Sequence, residues 1–330
     1  MADEPAAALS WRARLVPALA GVLMALAVAE AALRLGGFHV DFVPALEFGW
    51  PDPKTISDVY QADPDLLWVT RDYRAILTAA KGEPPAIVFM GDSCTEFGSY
   101  PAKTLEQLRA GGSPLRTGIK VGVGGWSSEQ GLRQLRRDVL PLHPRIVTIY
   151  FGWNDHWVAH GLTDPEISAS QRFLHVFGSS RIVQAWLRLR MNIAARRPDR
   201  PNRVPLPRYE ENLRQIASEA RQGGIVPLFI TAPSNHVRGH EPAYLAQRHL
   251  RALDELVPLH EAYLAATRQI GRDNGVLCDA AAAFAAVPHD GFFRADGIHL
   301  TDAGDQEMAA TLSQCIVRVS KTSVSSAGKL

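Results

Sequence analysis

A serine behind an apolar run, a histidine near the far end of the chain and a carboxylate just before that histidine are the residues here that can do chemistry together. The serine is Ser93, in Gly91-Asp92-Ser93, directly after Ala86-Ile87-Val88-Phe89-Met90. A hydroxyl is a weak nucleophile at its free pKa and needs a base. The candidate base is His299, in Arg294-Ala295-Asp296-Gly297-Ile298-His299-Leu300. Histidine is the commonest general base because its unperturbed pKa lies near neutrality. It needs a carboxylate on its other nitrogen to fix the tautomer and to stabilise the imidazolium. Asp296 is close enough in sequence for a loop to supply one, and Gly297 provides the turn. Asp92 adjoins Ser93 and points away from the base, so it is read as a local hydrogen-bonding residue of the turn.

Acyl chemistry at such a serine also requires donors aimed at the developing oxyanion. Two loops offer them. Gly122-Val123-Gly124-Gly125-Trp126-Ser127 has backbone N–H groups in a shape only glycines allow, and Gly152-Trp153-Asn154-Asp155 has the side-chain amide of Asn154. Rival motifs fail on single residues. A Gly-x-Ser-x-Gly elbow would need glycine where Thr95 stands, and a dinucleotide fingerprint would need glycine in place of Ser127.

These loops must be positioned by a sheet. Short apolar runs at Ala86–Met90, Gly118–Val123, Ile146–Phe151, Ile225–Thr231 and Gly275–Asp279 read as strands. Helices are expected between and after them, at Pro101–Ala110, Ser128–Leu140, Arg208–Gln222, Leu253–Asn274 and from Thr301 to about Val319. Strands alternating with helices imply a parallel α/β sheet covered on both faces. Its strand ends would carry Ser93, the glycine loop and Asn154 to one edge, where ligands bind in such sheets.

Gly91-Asp92-Ser93, the glycine after the second strand, Gly-x-Asn-Asp after the third and Asp-x-x-His near the C-terminus resemble the four blocks of the SGNH (GDSL-type) hydrolases, in a membrane-anchored bacterial-type form. The resemblance runs from about Ala86 to Val319. It implies a flavodoxin-like three-layer α/β/α sandwich with a five-stranded parallel sheet. It implies Ser93 as nucleophile, His299 as base, Asp296 as its orienting acid, and an oxyanion hole from the N–H groups of Ser93 and Gly125 with the Asn154 amide. The activity implied is hydrolysis of acyl, including acetyl, esters. The same triad would serve an O-acyltransferase acting on a glycan hydroxyl, or a lipase or thioesterase. No cofactor and no metal are called for. The eleven histidines lack zinc-ligand spacing, and His236 and His240 fall in a loop.

The rest of the chain bounds partners and location. A net charge of +1 gives no general attraction to nucleic acid. Trp11-Arg12-Ala13-Arg14 precedes an apolar stretch from Leu15 to Leu35, long enough for a membrane-spanning helix. Arginines before it favour a cytoplasmic N-terminus and an exported remainder, periplasmic or extracellular. A cleaved signal peptide, with Ala27-Val28-Ala29 as the cut site, would make the protein secreted. An alanine-rich amphipathic helix packed on the domain, with Glu30 and Arg34 paired, is the third reading. The expected organisation is an anchor over 1–36, a tether partly packed on the domain over 37–85, and a hydrolase domain over 86–330.

Within that domain, residues 156–207 form an insertion with a helix around Ile182–Ala195 and many arginines. It reads as a solvated basic face, a lid, or a patch on anionic lipid headgroups. Trp126, Trp153 and Trp157 flank the site, either to stack on sugar rings or simply to pack loop on sheet. A small-molecule or glycan acyl ester is the expected substrate. Cys94 and Cys278 are read as buried small apolar residues rather than a disulfide framework, with Cys315 as the third cysteine.

Overall fold

The computed structural model describes residues 11–39, 59–159, 161–194, 196–288 and 291–327. The Phe48-to-Pro53 stretch of the expected tether lies outside the described residues. After helix α1 (Trp11–Leu35) come the strands β1 (Tyr60–Asp63) and β2 (Leu67–Thr70), then α2 (Tyr73–Gly82). β3 (Ile87–Gly91), α3 (Tyr100–Ala110), β4 (Gly118–Lys120), α4 (Ser128–Gln134) and β5 (Ile146–Tyr150) follow. Next are α5 (Asp164–Phe177), α6 (Arg181–Ala194), α7 (Leu206–Gln222), β6 (Val226–Ile230), α8 (Leu256–Asn274), β7 (Val276–Cys278), α9 (Ala280–Ala285) and α10 (Asp302–Ala327).

Five of the strands form one parallel sheet in the order β4-β3-β5-β6-β7. The chain runs outward from β3 to β4, then returns past β3 to β5 and continues the other way. This is the flavodoxin-like order, and its switch point lies between β3 and β5, where Gly91 pairs with Tyr150. The α/β/α layering matches the expectation. β3 is buried along its whole length, so both faces must be apolar. Val88 and Met90 enter a core with Trp126, Ile149 and Phe229, while Ile87 and Phe89 enter the opposite core with Tyr100, Leu228 and Ile316. Each such fully buried side chain contributes roughly 1.5–3 kcal/mol.

Four regions depart from the sequence reading. Residues 59–82, expected as part of a tether partly packed on the domain, do pack there, through Leu66, Trp68, Val69 and Tyr73 in the first core, but as an antiparallel hairpin and a helix. Two four-residue strands are too short to display an alternation. The helix expected over Ser128–Leu140 opens with a capping box from Ser127 and Gln130, then widens into a π turn over Leu135–Val139 and tightens over Leu140–Leu142. The insertion holds a second helix, α5, before α6.

The fourth departure is a correction to the cysteines. Cys278 and Cys315 form a disulfide, with Cα atoms 5.8 Å apart. β7 is the edge strand and α10 covers it, so two cysteines distant in sequence face each other at bonding range. Cys94 alone stays free, and it is buried as expected.

The stretch Leu15–Leu35 is 21 residues with mean hydropathy 2.0, and none of its most apolar window is buried. It is therefore not a helix packed lengthwise on the domain. At 1.5 Å per residue it reaches about 31 Å, the thickness of a bilayer core.

Candidate active site

Ser93 stands at the head of a single helical turn, Ser93–Glu96, immediately after β3. A side chain at Gly91 would overlap the Thr95 hydroxyl and the Tyr150 carbonyl, so only glycine lets the chain turn this tightly. Asp92 caps the turn: its Oδ1 accepts the Cys94 N–H at 2.9 Å, and its carbonyl accepts the N–H groups of Thr95 and Glu96. This is the local role expected of it. Burial pushes the Asp92 carboxyl up to about 6. Burial likewise raises the Cys94 thiol well above its usual value, which keeps it unreactive beside the serine.

His299 is carried by a narrow loop closed by the Phe293–Leu300 bridge and an Arg294 N–H to His299 carbonyl bond of 2.7 Å. Gly297 turns that loop at a φ of +70°. His299 Nε2 lies 2.8 Å from Ser93 Oγ and Nδ1 lies 2.7 Å from Asp296 Oδ2. Asp296 Oδ1 also accepts the N–H groups of Ile298 and His299 at 2.8 and 2.9 Å. Burial opposes ionisation of Asp296, but these hydrogen bonds outweigh it and hold the carboxyl down at about 2. An ionised carboxylate only accepts, so Nδ1 carries the proton of the neutral ring. Nε2 is then left to accept the Ser93 hydroxyl.

The glycine loop is fixed from three sides. Glu96 accepts the Gly124 N–H and the Tyr60 hydroxyl, Trp68 Nε1 donates to the Gly124 carbonyl at 2.9 Å, and Arg203 donates to the Gly125 carbonyl at 2.8 Å. Gly125 has a φ of +78°. Among the described residues the N–H groups of Ser93 and Gly125 donate to no protein acceptor. Asn154 Nδ2 donates to the Trp126 carbonyl at 2.9 Å and, more weakly, to Asp92 Oδ2 at 3.3 Å. The sequence-derived residues thus fall into two linked groups, Ser93 with His299 and Asp296, and Asn154 with the glycine loop and Asp92. A serine, a base and its carboxylate in one hydrogen-bonded line form an arrangement suited to acyl transfer.

Residues 89–307 match the model of the GDSL-like lipase/acylhydrolase family. The chain belongs to this family. It is accordingly a carboxylic-ester hydrolase. No curated protein matches it. Solved structures similar to this hydrolase include a GDSL-like lipase, described as putative, from Parabacteroides merdae, at 17% identity and a TM-score of 0.48 over 70% of this chain and 95% of that one. A lipase/acylhydrolase from Enterococcus faecalis gives 20%, 0.47, 70% and 94% in the same order. A catalytic mutant of an acetylxylan esterase from Geobacillus stearothermophilus gives 18%, 0.46, 70% and 93%.

Several groups around the site of this GDSL-like hydrolase were not read from its sequence. His236 Nε2 donates to the Asp296 carbonyl at 2.8 Å while its Nδ1 meets Ser234 Oγ at 2.9 Å, and the Asn235 N–H reaches the Gly297 carbonyl at 3.1 Å. Two adjacent residues of the loop that follows β6 therefore strap the histidine loop in place. Arg203 pairs with Asp164 at 2.8 Å, and Asp164 in turn accepts the Ser127 hydroxyl at 2.7 Å. A histidine spaced for no motif and an arginine among many carry no local signal of these roles.

The tryptophans take the packing alternative. Trp126, Trp153 and Trp157 are 0%, 2% and 7% exposed, so none offers a ring face to a sugar. Trp153 stacks on His260 at 4.0 Å between centroids, and Trp126 meets Tyr73 edge-on. An aromatic ring open beside the site is that of Phe97, half-exposed and 5.8 Å from the His299 ring.

Proposed function

We propose that this hydrolase cleaves short acyl esters, with acetylated cell-envelope polysaccharide as the substrate class, through a Ser93 acyl-enzyme. The supporting observation is the unbroken hydrogen-bonded line Ser93–His299–Asp296. Ser93 Oγ attacks the ester carbonyl carbon as its proton passes to His299 Nε2. Asp296 stabilises the imidazolium. The oxyanion takes hydrogen bonds from the N–H groups of Ser93 and Gly125 and from Asn154, whose long contact to Asp92 is the one to be exchanged. The C–O bond to the alcohol then breaks, and the leaving oxygen takes the proton from Nε2. Water, deprotonated by His299, attacks the acyl-enzyme, releasing the acid and restoring Ser93.

α1 is read as a membrane anchor within residues 1–36, followed by the segment over 37–85 and the hydrolase domain over 86–330, outside the cytoplasm. The arginines before Leu15 support that orientation. The Cys278–Cys315 disulfide supports it independently, because such bonds persist in oxidising compartments.

The test uses the full chain in detergent micelles with p-nitrophenyl esters from acetate to laurate. The expected kcat/KM is highest for acetate and lost in Ser93→Ala. A long-chain optimum contradicts the substrate class, and turnover retained in the variant contradicts the mechanism. Acetyl transfer to an added glycan in place of acetate release would make the enzyme a transferase.

A further inference from the structure

The helix α6 of the insertion has two apolar faces, and the domain covers one of them. Gln184, Leu187, Met191 and Ala194 are buried. Trp186, Leu189 and Ile193 are 47%, 58% and 62% exposed. Spacings of three and four residues set these three on one side of a helix. The Arg190 guanidinium lies 5.0 Å from the centre of the Trp186 ring, and Arg188 is exposed on the same helix. No acidic residue occurs between Arg181 and Ala194.

The start of α6 is tied to the end of α1. Glu30 accepts the backbone N–H groups of Arg181 and Ile182 at 3.0 and 3.1 Å, and the Ser180 hydroxyl at 2.9 Å. A carboxylate from the apolar helix thus caps the N-terminus of the amphipathic one. Arg34 bridges Glu30 and the Ser179 carbonyl, both at 2.8 Å. The exposed apolar stripe of α6 therefore begins where the 21-residue apolar stretch of α1 ends.

We propose that α6 lies in the headgroup layer of the bilayer that α1 crosses. Trp186, Leu189 and Ile193 sit at the acyl-chain boundary, and Arg188 and Arg190 meet anionic phosphates. Tryptophan is favoured at that depth, an apolar face flanked by arginines lies flat there, and anionic lipid attracts the positive charge. Lipid is the occupant because α6 starts at the end of the apolar helix α1, to which Glu30 ties it, and the charged residues of α6 itself are all basic. The inference rests on the membrane-anchored reading of α1. Its consequence is positional. The chain leaving α6 reaches Arg203, which holds the Gly125 carbonyl, so one insertion both meets the bilayer and braces the site.

The experiment places the full chain in liposomes of phosphatidylglycerol and phosphatidylcholine, with a nitroxide at Leu189→Cys or, as a control, at exposed Arg116→Cys. The native cysteines are buried or paired, so the label goes to the new one. Retained ester hydrolysis verifies folding. The expected result is a several-fold higher ratio of oxygen to nickel-complex relaxation at 189 than at 116. Equal ratios, with the chain still resisting alkaline carbonate extraction, overturn the α6 proposal and leave the anchor standing. Dipolar broadening between labels at 189 overturns it in favour of a second copy of this chain. Release by carbonate removes the anchor reading and the proposal with it.

Discussion

Asp296 and Asp155 both follow strands or loops of the same sheet edge, yet they live under opposite electrostatics. Asp296 is half-buried and gathers the His299 ring and two backbone N–H groups, which overcome burial and hold it at about 2. Asp155 is wholly buried. Its Oδ1 takes the Ser128 N–H at 2.9 Å, Oδ2 meets no partner among the described residues, and burial pushes it up to about 7. The histidines divide the same way. His299 faces a carboxylate, whereas His156 and His260 face each other at 3.3 Å in an aromatic nest, where burial drives both downward, His260 to about 4. Charge is kept where a partner receives it, as at Asp296 and in the Arg203–Asp164 pair, and burial works against it at Asp155, His156 and His260.

The largest break in this comparison comes from Asp296→Asn. An amide at that position favours the wrong imidazole tautomer, so kcat should fall by roughly 10³- to 10⁴-fold, measured on p-nitrophenyl acetate. Folding at neutral pH should persist. The native carboxyl is depressed, so its contribution to stability is present above its unfolded pKa near 4 and lost as pH falls towards 2. The variant should lack that acid-side loss in urea titrations.

Asp155→Asn gives the smaller and opposite signature. A carboxyl raised on folding contributes stability that is present below its unfolded pKa and lost as pH rises through about 7. The wild type should therefore weaken between pH 4 and 8, by at most about 1.4 kcal/mol for each tenfold fall in proton concentration. The variant should show a flatter urea midpoint over that range, with activity changed far less than in Asp296→Asn. An equally steep decline would mean that Asp155 is ionised in the fold.

The strands and the grouping of the candidate site residues were legible because each is written locally. Ile87–Gly91 is a continuous apolar run, and a serine behind it and a histidine three residues after an aspartate need only short-range geometry. What escaped depends on distant chain. The hairpin at 60–70 is too short to show a period, and its Tyr60 and Trp68 matter through contacts to Glu96 and Gly124. His236 and Arg203 act on loops some 60 and 80 residues away. The Cys278–Cys315 pairing follows from α10 crossing the edge strand, which no spacing rule reveals. The tryptophans near the site looked available because exposure is a property of the packed fold; Tyr73 meets Trp126 edge-on and His260 stacks on Trp153.

The central claim is that Ser93 is a nucleophile activated by His299. Its most direct test is stoichiometric labelling of the full chain by a fluorophosphonate, with the adduct located by peptide mass spectrometry. The predicted result is one phosphonate per chain on Ser93, forming at least ~100-fold more slowly in His299→Ala. An adduct on another residue, or labelling at Ser93 that proceeds undiminished without His299, would contradict it.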